Sequence, residues 1–295
     1  MSQSKTRFVA EISSNHNRDL GRAIKMIESA ANAGCDAVKF QLFKVDELFA
    51  PEILATSKIH QSRRQWELPL EFIPELADKT HELGMEFSCT PFYIEAVEEL
   101  KPYVDFYKIA SYELLWHDIF RSCAATGKPL VFSTGMATQS EIEGVLNSIK
   151  EFAGLDVTIL RCTSAYPTPT HEANLKSIAS LRRALKPFEE NFNLSFGWSD
   201  HTVSVSVLMS AVLKYQSKFI EFHFDLDGDG EEYGPGHCWL PQQISEVINM
   251  VQMANLADGS GSIEAGDSEM ADRVWRADPT DGLRPIKTIR NEKIV

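Results

Sequence analysis

Thr126-Gly127-Lys128-Pro129-Leu130-Val131-Phe132-Ser133-Thr134-Gly135 is the stretch on which the fold turns. A glycine closes a helix, a short β-rich run follows, and the run stops on hydroxyls. Glycine adopts the left-handed conformation at a helix C-terminus at little steric cost, and Leu-Val-Phe suits a strand. The punctuation recurs. Gly34, Gly84 and Gly154 stand one to three residues before Ala37-Val38-Lys39-Phe40, Glu86-Phe87-Ser88-Cys89-Thr90 and Val157-Thr158-Ile159-Leu160-Arg161-Cys162. Helix starts are marked too. Asp19 is an N-cap ahead of the apolar face Leu20, Ala23, Ile24, Ile27, Ala30 and Ala31, and Thr138 with Glu141 forms a capping box. Candidate strands begin near Phe8, Ala37, Met85, Asp105, Leu130, Val157, Leu194 and Phe219. Strand–helix units in series imply parallel strands with crossover helices. Eight units in about 250 residues predict a closed (β/α)8 TIM barrel rather than an open doubly wound sheet. The glycine-rich dinucleotide fingerprint is also absent after the first strand. Residues 1–258 are assigned to the barrel and 259–295 to a short C-terminal extension, a linker and tail with no separate domain.

The composition is that of a soluble globular chain: 295 residues, 43% hydrophobic and 24% charged. A net charge of -13 argues against nucleic acid, which needs a basic face, but leaves room for a phosphorylated small molecule. No apolar run approaches the roughly 18 residues of a membrane span, and the polar start Met1 to Arg7 resembles no signal peptide. Cys35, Cys89, Cys123, Cys162 and Cys238 are scattered, without C-x-x-C spacing, as expected of reduced thiols in a cytoplasmic protein.

Each predicted strand ends on polar residues. In order these are Glu11 with Asn15, Lys39 with Gln41, Ser88 with Thr90, Lys108 with Ser111, Ser133 with Thr134, Arg161 with Thr163, Ser199 with His201, and His223. Singly, Ser and Thr at such positions are ordinary strand ends meeting solvent. Lys39 and Lys108 are different, because a lysine within an apolar strand is almost never fully buried unpaired. Together they predict a positive field over a pocket, which a phosphate among hydroxyls would satisfy. His201 and His223, in matching positions near the ends of the last two strands, favour a metal site over two core histidines. Either lysine could form a Schiff base, but the paired histidines favour metal-assisted chemistry. Ser199 beside His201 lacks a nucleophile elbow and is no triad signal.

Two segments interrupt the repeat: a long polar insertion, Lys44 to Leu70, and an acidic loop, Asp225 to Gly236. Asp225, Asp227, Asp229 and Gly230 match the opening of a calcium loop, yet the position needing a bidentate Glu falls on Gly236. A solvated, flexible loop is the better reading.

Taken together, these segments resemble the N-acylneuraminate (sialic acid) synthases over about Phe8 to Ala257. The resemblance rests on Ala10-Glu11-Ile12, Asn15-His16-Asn17, Ala37-Val38-Lys39-Phe40-Gln41, Cys89-Thr90-Pro91-Phe92 and Tyr107-Lys108-Ile109-Ala110-Ser111. It continues through Ser133-Thr134-Gly135-Met136, Cys162-Thr163-Ser164-Ala165-Tyr166-Pro167, Ser199-Asp200-His201-Thr202 and Glu221-Phe222-His223-Phe224. It implies condensation of phosphoenolpyruvate with an N-acyl-mannosamine-like aldose, giving a 2-keto acid and phosphate, with Mn2+ or Mg2+. It further implies that His201 and His223 ligate the metal. Lys39, Thr90, Lys108, Ser111, Ser133, Ser164 and Ser199 would bind phosphoenolpyruvate, while Gln41, Tyr166, Glu113 and Asn17 would line the sugar side, with His16 placed near the metal or sugar. Lys39, Lys108 and Glu113 join the histidines as the catalytic set, and a homodimer is expected. Where the family commonly has Gly-Pro-Asp-His, this chain has Gly234-Pro235-Gly236-His237, so a sugar-binding carboxylate is missing. The family's C-terminal antifreeze-like domain has no counterpart in the resemblance. Both departures predict an acceptor other than N-acetylmannosamine. Two alternatives remain: a phosphoenolpyruvate-dependent 3-deoxy keto acid synthase acting on a phosphorylated aldose, and a non-catalytic barrel that binds sugar or phosphoenolpyruvate.

Overall fold

The computed structural model describes residues 5–292. Eight strands, β1 (Arg7–Glu11), β2 (Ala37–Leu42), β3 (Glu86–Pro91), β4 (Phe106–Ile109), β5 (Leu130–Ser133), β6 (Asp156–Cys162), β7 (Asn193–Asp200) and β8 (Phe219–His223), close into a barrel in sequence order. Every pairing is parallel, and β1 meets β8 through Arg7 opposite Phe219 and Glu11 opposite His223. The predicted strand starts fall within one residue of those observed.

The crossovers are α1 (Leu20–Ala33), a run of short helices α2 (Val45–Leu48), α3 (Pro51–Thr56) and α4 (Lys58–Gln61), then α5 (Ile73–Glu82), α6 (Glu95–Leu100) and α7 (His117–Ala125). They continue with α8 (Gln139–Ser148), α9 (Lys176–Ala184), α10 (Val205–Met209) and α11 (Pro241–Ala257). The Lys44–Leu70 insertion is thus largely helical. Gly34 caps α1 at φ 91°, its N–H donating to the Ala30 and Ala31 carbonyls, the conformation in which a side chain would be strained. At α8 the Thr138–Glu141 box is reciprocal.

Alternation along each strand sorts the side chains into layers. Val9, Ala37, Phe106, Val131, Leu160 and Phe219 form a separate buried cluster, the floor of the barrel. The intervening residues, such as Val38, Phe40, Tyr107, Phe132, Ile159, Trp198 and Phe222, join the larger core shared with the helices. Two positions beyond each floor residue lie Glu11, Lys39, Lys108, Ser133, Cys162 and Glu221, so the polar strand ends share the floor's parity and point inward. The parity also corrects two strand-end expectations. Thr134 donates its hydroxyl to the Leu160 carbonyl, and Arg161, out of phase with Leu160 and Cys162, engages Ser177 of α9.

The chain divides into two compact units, Met1–Gln252 and Met253–Val295, the division falling inside α11. The second unit contains α12 (Met270–Arg273) and α13 (Lys287–Glu292). There Asp278 accepts hydrogen bonds from Thr280 and the Lys287 N–H.

Candidate active site

Above the floor lies a layer of four buried charges in alternating sign. Lys39 pairs with Glu11 and stands 3.8 Å from Glu221, which lies 3.3 Å from Lys108. Lys39 also donates to Thr90 at 3.2 Å, and Lys108 to the Ile109 carbonyl at 3.1 Å. Ser199 donates to Glu221 at 3.1 Å, and the Gln41 amide to Glu11 at 3.0 Å. Lys39 and Lys108 alone predict a positive field over this pocket. The structure corrects this: buried cations need counter-charges within the fold, and β1 and β8 supply them.

The same arrangement sets the protonation states. Burial alone would raise Glu221, but the Lys108 and Lys39 ammoniums outweigh it and hold it at about 2. Burial raises Glu11 in spite of Lys39. Burial depresses Lys108, only partly offset by Glu221, whereas for Lys39 the two carboxylates outweigh burial and raise it.

Beside this layer the hydroxyls gather. Ser111 Oγ accepts from the Gly135 N–H at 2.9 Å, while Ser133 Oγ and Ser164 Oγ are buried without partners. A Cβ at Gly135 would come within 2.0 Å of Ser164 Oγ and 2.8 Å of Ser111 Oγ. Glycine therefore keeps open a cradle whose hydroxyls await an acceptor, and this fits the phosphate or carboxylate of a substrate. Gly135→Ala is expected to raise KM for phosphoenolpyruvate about tenfold, one charge-assisted hydrogen bond, with little change in denaturation midpoint. Steady-state kinetics beside urea unfolding would check this. Glu113, in the turn after β4, is pushed up to about 7 by burial, and its Oε2 is likewise without a partner.

At the mouth sit three imidazoles. His201 and His223 have ring centroids 5.2 Å apart, and Tyr166 stacks on His201 at 4.2 Å. His201 Nδ1 lies 2.8 Å from the Thr163 carbonyl, and His223 Nδ1 lies 2.9 Å from Glu232. A carbonyl and a carboxylate can only accept, so both Nδ1 atoms carry hydrogen, and Nε2 is on each ring the atom left to ligate. That is the oriented state of a metal-ligating histidine, and the pair fits a divalent cation. His237 was not foreseen. It is buried, its ring lies 4.7 Å from that of His223, and its Nδ1 has no partner. Ligand-capable atoms of His223, His237 and Cys238 fall within 4.8 Å of one another. Cys238, however, is pushed up to about 12 by burial and donates to the Glu232 carbonyl, so it presents a protonated thiol. The oriented nitrogens of His201 and His223 make the better pair.

Asp200, between Ser199 and His201, faces away from the pocket. It accepts from the indoles of Trp198 and Trp239 and from Thr202, pinning the end of β7. The acidic loop is tethered, contrary to the flexible loop expected. Arg22 bridges Asp225 and Asp227 at 2.8 Å, and Asp225 also accepts from Gly228 and Gly230. A guanidinium takes the place a calcium ion would have filled. Asn17 belongs to this tether as well: its amide donates to the Asp229 carbonyl and accepts from the Glu231 N–H. His16 accepts from the Arg18 N–H, packs near Phe40 and is lowered to about 4 by burial. Sequence reasoning assigned no role to Glu11, Glu221, Glu232 or His237. For the first two the available signal was inward parity: two residues after Val9, and midway between Phe219 and His223.

The sequence model of the NeuB family matches residues 26–263. An N,N'-diacetyllegionaminic acid synthase from Campylobacter jejuni is 35% identical, over 90% of this chain and 81% of its own length. A pseudaminic acid synthase from the same species is 31% identical over 92% and 80%. The crystal structure of the N-acetylneuraminic acid synthetase from Leptospira borgpetersenii superposes with a TM-score of 0.78 at 25% identity, covering 92% of this chain and 90% of that one.

Proposed function

The chain belongs to the NeuB family, and from that premise we propose that it condenses phosphoenolpyruvate with an aldose, yielding a sialic-acid-like 2-keto acid and phosphate. The observation that carries this reading is the Glu11–Lys39–Glu221–Lys108 layer, with partnerless hydroxyls beside it and two histidines oriented through Nδ1 near it. A phosphatase or simple sugar binder would need no such combination.

His201 and His223 would hold the cation, Mn2+ or Mg2+, which supplies Lewis-acid polarisation of the acceptor's aldehyde oxygen. Lys39, Lys108, Thr90 and the hydroxyls of Ser111, Ser133, Ser164 and Ser199 bind the phosphate and carboxylate of phosphoenolpyruvate. They fix C3 of the enol for attack on the aldehyde carbon. Water then adds at C2, the C2–O bond breaks, and phosphate leaves with the electron pair. The lysines stabilise the charge that develops on it. Glu113 carries the proton, since a carboxyl near 7 can both take and return one at neutral pH. Gln41 and Tyr166 bound the sugar side.

Two expectations follow. The kcat profile should show a limb centred at about 7, and Glu113→Gln should remove it; an unchanged limb would exclude Glu113. Linkage runs the same way. The pKa of Glu113 in the fold lies above its ordinary 4.5, so its contribution to stability is complete below that value and is lost as pH rises through about 7. For the acceptor, the relatives named for legionaminic and pseudaminic acids support a sugar of their type, as does Gly236. Phosphate release across an aldose panel with Mn2+, with mass detection of the keto acid, tests this reading. N-acetylmannosamine emerging as the best substrate would contradict the acceptor assignment, and no phosphate release from any aldose would contradict the activity.

A further inference from the structure

Arg161 is a cation for which the reaction has no use. It stands in β6 between Leu160 and Cys162, facing the helices, and it is half-buried. Its Nε donates to Ser177 Oγ at 2.8 Å and its Nη2 reaches Thr163 Oγ1 at 3.5 Å, both neutral hydroxyls. No carboxylate pairs with it among the described residues. Burial accordingly lowers its affinity for its proton, and only the neighbouring Cys162 opposes this. The two fully buried cations of the barrel each have an acid, Lys39 with Glu11 and Lys108 with Glu221, and the part-buried Arg22 has Asp225.

The guanidinium opens onto a cavity of about 190 Å³ between α8 and α9. Ser177, Asn174 and Gln139 give it a polar side, and Ile142 and Leu181 an apolar wall. The Asn174 side chain makes no hydrogen bond among the described residues. The volume corresponds to roughly six waters at about 30 Å³ each, room for a phosphate-sized ion and too little for a drug-sized ligand. A half-buried guanidinium without a counter-charge, beside an amide and hydroxyls in a cavity of that size, is a receptor for an oxyanion. It is also connected to the catalytic face. Thr163, which Arg161 touches, provides the carbonyl that orients His201 Nδ1.

We propose that this cavity is a second binding site, for a small oxyanion of the phosphate or carboxylate type, with Arg161 as its principal contact and Thr163 as its link to His201. The site lies outside the barrel mouth, and its occupancy does not depend on the condensation reaction. Were phosphate its ligand, the proposed reaction would itself supply it.

Inorganic phosphate and, separately, acetate are titrated into the full chain while the Arg161 Nε–H and the Ser177 backbone amide are followed by 1H–15N NMR. Saturable shifts of both resonances are expected with at least one anion; which anion produces them identifies the source as phosphate or carboxylate. At the Ser177 amide, Arg161→Lys should weaken binding about tenfold through loss of the forked donor, and Arg161→Gln should abolish it. Wild-type resonances unmoved by either anion would overturn the proposal, whatever the variants do. So would an unchanged response at Ser177 in Arg161→Gln. Lack of turnover with every aldose would count against the proposed function and leave this result standing.

Discussion

Lys108→Met is expected to lower turnover with phosphoenolpyruvate by about 10²–10³-fold, the usual loss when one preorganised donor to developing charge is removed. The methionine preserves most of the side-chain volume, so the floor beneath it stays packed. What disappears is the ammonium 3.3 Å from Glu221. Glu221 then keeps Lys39 at 3.8 Å, the Ser199 hydroxyl and the nearby His223. Leaving a buried carboxylate short of a partner costs about 3 kcal/mol, at the low end for a broken buried pair because part of the network survives. That cost depends on pH. Glu221 is held well below its ordinary range, so its contribution is present above about 4.5 and is lost as pH falls towards 2. Urea unfolding of wild type and variant should therefore differ most near neutrality and converge in acid. Full activity in Lys108→Met would remove the lysine from the phosphate site.

Arg22→Ala should act at a distance from the chemistry. It removes the guanidinium from Asp225, a fully buried carboxylate, and from Asp227. Asp225 retains the Gly228 and Gly230 N–H groups, which places the expected destabilisation at about 3 kcal/mol rather than above it. The tethered loop also carries Glu232, whose carboxylate orients His223 and accepts from Ser13 at 2.5 Å. Loosening the loop should lower metal affinity by about tenfold, as for other partners behind a ligating histidine. Calorimetric titration of Mn2+ alongside chemical denaturation separates the two effects. Added calcium should restore neither, since the loop's cation was the arginine. A variant that loses stability yet binds Mn2+ as wild type does would detach Glu232 from the metal site.

The barrel was legible because its signals are local. A β-rich run with a polar stop, often announced by a glycine, repeats along the chain, and each element can be read within its own window. Lys39 and Lys108 stood out for the same reason, as charges set in apolar strands. Their partners did not. Glu11 and Glu221 are ordinary polar residues in β1 and β8; Glu11 meets Lys39 across the β1–β2 pairing, and Glu221 reaches Lys39 and Lys108 only when the barrel closes and brings the last strand beside the first. Glu232 and His237 lie in a loop whose path is fixed by Arg22, about 200 residues earlier. Its acidic pattern invited a calcium or a flexible-loop reading, because no local signal announces a distant arginine. Arg161 shows the converse: it was grouped with the inward strand ends until the phase of Leu160 and Cys162 set it outside.

Condensation is distinguished from simple phosphate release by following carbon rather than phosphate. Phosphoenolpyruvate labelled with 13C at C3 is incubated with the protein, Mn2+ and the best acceptor of the aldose panel, and the label is observed by 13C NMR. The label is expected to appear as a methylene bonded to the former aldehyde carbon, only when the acceptor is present, and not in His223→Ala. Label recovered as the methyl of pyruvate, or left in phosphoenolpyruvate with every acceptor, would contradict the account.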